Sequence, residues 1–531
     1  LDRLVEGNIY SPPSINDHVV NVRLKSGRNI LVFLFMNGKA EAIIAIGGPD
    51  DLRRGDFKSI VPPKKKVTDA KSLYELYPTD PEAPIRWVVP ENFNPTLPDL
   101  GIQHLEGIEH FEIFHAIPSK AAIEDGGDGK YESLRHGTWN HGPPVLIPFK
   151  NHVVAYWCNH ALDEEGAGSR ILGKYGRILD DEGNVDWGGD ENLFEAGPAA
   201  VPVSRRRIES GTEKVNCIQT RGAFNIIEGR LFFCGKLLAL HGKSSNSSSY
   251  WEGAIKFGQK IPSDSFRAGP DALALGGQNL RWELGVDFYQ EWDIVDGKLK
   301  TISPLYRSGE IPKTIAMTPD LTMPVEPFTE AFQNAVPFDE APCEIRRLIK
   351  EGKRASHGRP LKYPPGKSNL TVDGSNGLAH QTQFRRPDGS WVAIRENQKP
   401  TLQPVYFAAE KPDEESFYPP ARRTNLYGAV NPHAGELPDG TVYIVCNSPN
   451  RRTMFITLSK DGRVFDKTYF LMHKMLSDYT PGIMKREGGP GAGPQYFHAT
   501  VVGKSLWIVY SISKEHIGIT RIPLSKLEHD F

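Results

Sequence analysis

The sequence predicts an all-β fold, a six- or seven-bladed β-propeller preceded by an N-terminal β-rich extension. The first observation is repetition: four stretches share a His, an apolar strand, a turn and a second alternating strand. They are His141-GPPVLIPFKNHVVAYW, His380-QTQFRRPDGSWVAIR, His433-AGELPDGTVYIVC and His498-ATVVGKSLWIVYS. Each reads as one β-hairpin, and a small sheet unit met again and again is the mark of blades packed radially around a channel. The second is composition: 51 Gly, 42 Pro and 10% aromatic residues suit short strands and tight turns better than long helices.

Taken in order, residues 15–50 alternate around the turns SGRN and MNGK and read as three strands of a small antiparallel sheet. From 51 to 107 the chain turns to Pro, Lys and Asp and periodicity vanishes, as in an irregular cover over a neighbouring domain. The expected division is therefore 1–107 for the extension and linker and 108–531 for the propeller. Its repeats are expected to begin at EHFEIFHAIPSKAAI. A first blade holds HGPPVLIPFKNHVVAYWCNH and, after the solvated loop ALDEEGAGS, RILGKYGRI. A second holds CIQTRGAFNIIEGRLFFCGKLLALHG and then YWEGAIKFG, and RWELGVDFYQEWDIVDGKLKTISPLY reads as a weaker third. One helix is expected in DEAPCEIRRLIKEGK, with an acid near its start and a basic end. Three clear units follow, starting near Gly377, Asn431 and Gln495.

Bulk properties narrow the function. With 63 basic against 65 acidic residues, net charge −2, the chain lacks the footprint of a nucleic-acid binder or a polybasic membrane anchor. No apolar run approaches the ~20 residues of a membrane helix. The opening LDRLVEGNIY, without Met or signal core, is expected of a processed or trimmed N-terminus. Five scattered Cys without a CxxC pair exclude a disulfide scaffold and a zinc finger. The sequons at Asn246 and Asn369 suit a secreted glycoprotein.

The candidate chemistry sits where inner strands begin. His141 and His160 bracket one hairpin and so lie at one end of the blade, supplying an acid and a base near neutral pH. Arg221, at the corresponding point of the next blade, offers a fixed cation for a carboxylate, with Arg170 and Asn225 as further substrate-binding candidates. His380, His433 and His498 admit two readings: a structural divalent metal site (Ca or Zn) near the axis, with Cys446 as a nearby soft ligand, or hydrogen-bonding plugs of a narrow channel. The Gly-rich run at 488–493 lacks the Lys-Ser/Thr of a phosphate loop, no GxSxG elbow occurs, and RRPDGSW lacks the leading Ser of an Asp-box.

The stretch HGPPVLI…VVAYWCNH, the repeat spacing and the unit YFHATVVGKSLWIVYSISKEHIGITRIPL together resemble the propeller polysaccharide lyases that act on uronic-acid glycans, ulvan lyases and rhamnose-glucuronate lyases among them. The resemblance covers most of 110–531. It implies a secreted, monomeric enzyme that cleaves at C4 of a glucuronate by β-elimination, with terminal rhamnose of plant gum side chains as one possible leaving sugar. His141 and His160 match the acid/base positions, Arg221 is in the right blade to neutralise the uronate, and no cofactor is needed for the chemistry. The family's catalytic Tyr has no assigned counterpart. A glycoside hydrolase on the same scaffold and a non-catalytic glycan-binding propeller are the alternatives.

Overall fold

Apolar and polar residues alternating on both sides of a tight turn build each blade. The computed structural model describes residues 79–118, 132–160, 169–197, 217–241, 280–310, 314–318, 321–324, 334–352, 371–372, 378–397, 405–428, 430–473 and 493–527. Five blade sheets lie among them. The first runs Trp139–Phe149, His152–His160, Arg170–Ile178, with two short outer strands. The second runs Cys217–Ile227, Arg230–His241, Leu280–Val295 and outward. Two four-stranded blades occupy 378–427 and 430–473. The last, the closing blade, pairs Pro494–Val502, Ser505–Ile512 and His516–Pro523 with Glu109–Phe114 as its outermost strand. The fold class is thus the all-β propeller expected.

Two expectations are corrected. EHFEIF does not open the first blade; it seals the last one, with Glu109 opposite Arg521 and Phe111 opposite Ile519. Nor is RWELGVDFYQEWDIV the core of a third blade: Leu280–Val295 is the third strand of the second, with Trp292 opposite Leu231 and Tyr289 opposite Cys234. A lone alternating strand reads the same whether it pairs backward or forward, so pattern alone cannot assign it. The three expected strands of residues 15–50 and the segment YWEGAIKFG lie outside the described residues. The expected helix is present as Cys343–Gly352, and Ile345, Leu348 and Ile349 pack on Phe232 and Tyr289 of the second blade.

Stability comes from cores between blades. Tyr156 and Phe194 of the first blade meet Phe224 and Phe288 of the second, and Trp157 and Leu172 meet Trp507 and Val509 of the closing blade. Ile508 and Tyr510 meet Val445 and Ile456, and Ile444 and Phe455 meet Ile394 and Tyr406. Each sheet is therefore apolar on both faces, which is why strands such as His152–His160 are buried along their whole length. The irregular stretch 85–102 joins this wall. Trp87, 1% exposed, stacks edge-on to Phe93, donates its Nε1–H to Thr468 Oγ1 at 2.8 Å, and lies in a two-residue parallel pairing with Val464–Phe465.

Candidate active site

Inner strands begin at one end of the ring, and there four of them are interrupted. Register shifts separate His141 from Val145, Ala379 from Gln381, Val430 from His433 and Gln495 from His498. A β-bulge at the same place in successive blades re-aims side chains and is a common device beside active sites. In three of these bulges the residue just past the first break has a left-handed backbone: Gly142 at φ 73°, Asn431 at φ 21° and Tyr496 at φ 60°. Glycine and asparagine adopt that region readily; tyrosine does so at a cost.

The bulges also sort the histidines, which the repeated motif had put on one level. His141 precedes its bulge, as Val430 and Gln495 do, whereas His433 and His498 follow theirs, as Val145 does. His141 thus stands two positions nearer the strand start, opposite Cys158 where Val145 is opposite Tyr156. His380 falls inside its bulge, and Gln381 follows it. The four histidines therefore do not share one register position.

His141 is fully buried. Its Nδ1 lies 2.8 Å from Ser511 Oγ, and its ring meets Trp139 at 5.5 Å and, edge to face, Tyr496 at 3.8 Å between centroids. Tyr496, 7% exposed, is a residue that sequence reading missed. His160, also buried, is opposite Trp139 on the neighbouring strand, so the bracket of His141 and His160 around one hairpin is as expected. The backbone of Arg221 is opposite Lys236, the seventh residue of its strand, as Cys158 opposite His141 is the seventh of its own. Arg221 therefore reaches the level of His141, although its side chain, like that of His380, is outside the described residues. Asn225 is deeper in the same strand, buried, with its amide donating to the Ala223 carbonyl at 3.3 Å.

Arg170 has a different place from the substrate-binding one expected. Only 4% exposed, it donates Nε–H to Asn159 Oδ1 at 2.8 Å, Nη1–H to Glu195 at 3.2 Å, and Nη2–H toward the carbonyls of Ser133, Leu134 and His136. Asn159 in turn donates to Asn140 Oδ1, and Asn140 donates to the Glu515 carbonyl of the closing blade. A guanidinium so engaged clamps the loop 133–136 and the seam between two blades. Burial raises the pKa of the Glu195 carboxyl, with Arg170 pulling the other way.

Of the expected metal set, His433 and His498 come together, ring centroids 4.7 Å apart. His433 Nε2 is 3.1 Å from the Ala499 carbonyl, which can only accept, so the ring proton sits there; Leu146 N–H donates to His498 Nδ1 at 3.4 Å. In neutral form these rings present one lone pair between them, at His433 Nδ1. Cys446 is buried, and burial pushes its thiol well up, away from the thiolate a metal needs. Burial also lowers the pKa of His433 from its ordinary 6.5 to about 4, against a smaller upward pull from the Ala499 carbonyl. Another donor set, Glu112, His115 and His516, has its ligand atoms within 4.8 Å of one another. There the Ala116 N–H donates to His516 Nδ1 at 3.1 Å, which keeps the proton of a neutral ring on Nε2 and spends the lone pair.

No family model and no curated protein matches the chain. Among solved structures, one described as a sialidase superposes with a TM-score of 0.50 at 16% identity, over 83% of this chain and 35% of that one. Trypanosoma rangeli sialidase in complex with sialic acid gives 0.38 at 8% identity over 80% and 60% of the two chains. Penicillium chrysogenum α-L-arabinanase complexed with arabinobiose gives 0.33 at 10% over 78% and 98%. The chain spans about a third of the length of the first of these. The likeness is one of fold, the all-β propeller.

Proposed function

We propose that this protein is a glycan-cleaving enzyme in which Tyr496 and His141 form the reacting couple. The observation behind the proposal is their contact, a phenol carried on left-handed backbone at φ 60° with its ring 3.8 Å from an imidazole. Such a couple can take and return a proton at neutral pH; Tyr496 is 7% exposed and His141 fully buried, so the tyrosine is assigned the side facing substrate.

Two ways of completing the cleavage share this couple. Hydrolysis draws support from the sialidase-like fold, and tyrosine replaces the usual carboxylate nucleophile in sialidases. β-Elimination at C4 of a glucuronate draws support from the first-blade motif and from the level of Arg221, where a guanidinium offsets the uronate charge while the C5 proton is removed. Secretion, action as a monomer and rhamnose-capped plant gums as substrate belong to the second reading.

Mass spectrometry of products from uronate, sialylated and arabinan glycans separates the readings. Hydrolysis adds water; elimination leaves an unsaturated uronate that absorbs in the ultraviolet. Tyr496→Phe and His141→Ala are each expected to lower kcat by roughly 10²- to 10⁴-fold. Binding without turnover across the panel would instead make the protein a glycan-binding propeller.

A further inference from the structure

We infer that Ser511 is a positioning residue that holds His141 as the Nδ1–H tautomer, so that Nε2 is its basic nitrogen. The inference deepens the proposed function and rests on it for the catalytic consequence only. Ser511 is the next-to-last residue of the strand Ser505–Ile512 in the closing blade, is fully buried, and sits opposite Gln495. Its hydroxyl makes two contacts, to His141 Nδ1 at 2.8 Å and to the Gln495 carbonyl at 3.4 Å.

A serine hydroxyl has one proton and two lone pairs, and a carbonyl oxygen only accepts. Both contacts are made together in one way: Oγ–H donates to the Gln495 carbonyl, and Nδ1–H of His141 donates to Oγ. The reverse chain, Oγ–H to Nδ1, gives up the carbonyl and moves the imidazole proton to Nε2, turning a base into an acid. Gln495 immediately precedes Tyr496. One turn of backbone therefore anchors the hydroxyl that orients the imidazole and carries the phenol that the imidazole faces.

The test is ¹⁵N NMR of the full chain labelled at histidine, with the His141 signals assigned by their loss in His141→Ala. The wild type is expected to show Nδ1 protonated and Nε2 bare. Ser511→Ala is expected to mix the tautomers and to lower kcat by about 10- to 100-fold with KM unchanged, the loss seen when a histidine's orienting partner is removed at metal sites; Ser511→Thr, which keeps the hydroxyl, restores both. A wild-type ring protonated on Nε2, or a Ser511→Ala protein with the wild-type tautomer, overturns the assignment. The wild-type spectrum needs no substrate, and a variant only to assign its signals, so it decides the tautomer even where no glycan is cleaved.

Discussion

At Gly142 and Asn431 a left-handed backbone is cheap, whereas at Tyr496 it costs roughly 1–2 kcal/mol that the rest of the fold must offset. Strain of this kind persists where a side chain has to be aimed, and here it is aimed at His141. His433 allows a prediction of another sort. Its pKa of about 4 in the fold is below the ordinary 6.5, so as pH falls through 6.5 the unfolded chain takes a proton that the folded one refuses. Its burial therefore costs nothing at pH 7 and destabilises increasingly between pH 6.5 and 4, by up to about 3 kcal/mol. Urea unfolding at pH 7 and pH 4.5 is expected to show a smaller loss for His433→Gln than for the wild type; equal losses would remove this account. The sequence showed His141 and His160 as a pair because one hairpin joins them. Tyr496 was illegible because a bulge adds a residue that no alternation pattern registers, although the alignment of Asn431 with Tyr496, each two residues before its His, was the signal available.

Among elements, the seam between the first and closing blades concentrates the buried polar groups. Arg170 is expected to act there on stability. Replacing it by Met leaves the Glu195 carboxyl and Asn159 without their partner, and losing one side of a buried ion pair costs about 3–5 kcal/mol. A denaturation midpoint unchanged in Arg170→Met, with weaker uronate binding, would return the residue to the ligand. Hairpins were the legible elements: the tips PFKN, RPDG, LPDG and VGK all separate paired strands. Strands joined by long connections were not. Leu280–Val295 finds its partner across 242–279, and nothing local to either strand announces the pairing.

For the whole molecule, the decisive element is the strand Glu109–Phe114, which ties an early part of the chain to the last blade. Phe114, 1% exposed, packs on Trp157 of the first blade at 5.0 Å, so it joins the seal to the neighbouring core. Phe114→Ala is expected to cost about 3–5 kcal/mol, and a chain starting at residue 119 to lose cooperative thermal unfolding by circular dichroism. A truncated chain that still melts in one sharp transition would show that the ring holds without its seal. The all-β class and the run of blades could be read from repetition, but the seal could not, because it joins His110 to Thr520, 410 positions apart. Synthesis on the ribosome proceeds in one direction, so after His110 is made the strand waits for 410 further positions before its partner Thr520 exists. Until then its edge offers unpaired amides to any other nascent chain, and the charged Glu109 and Glu112 within it are what such an interval requires.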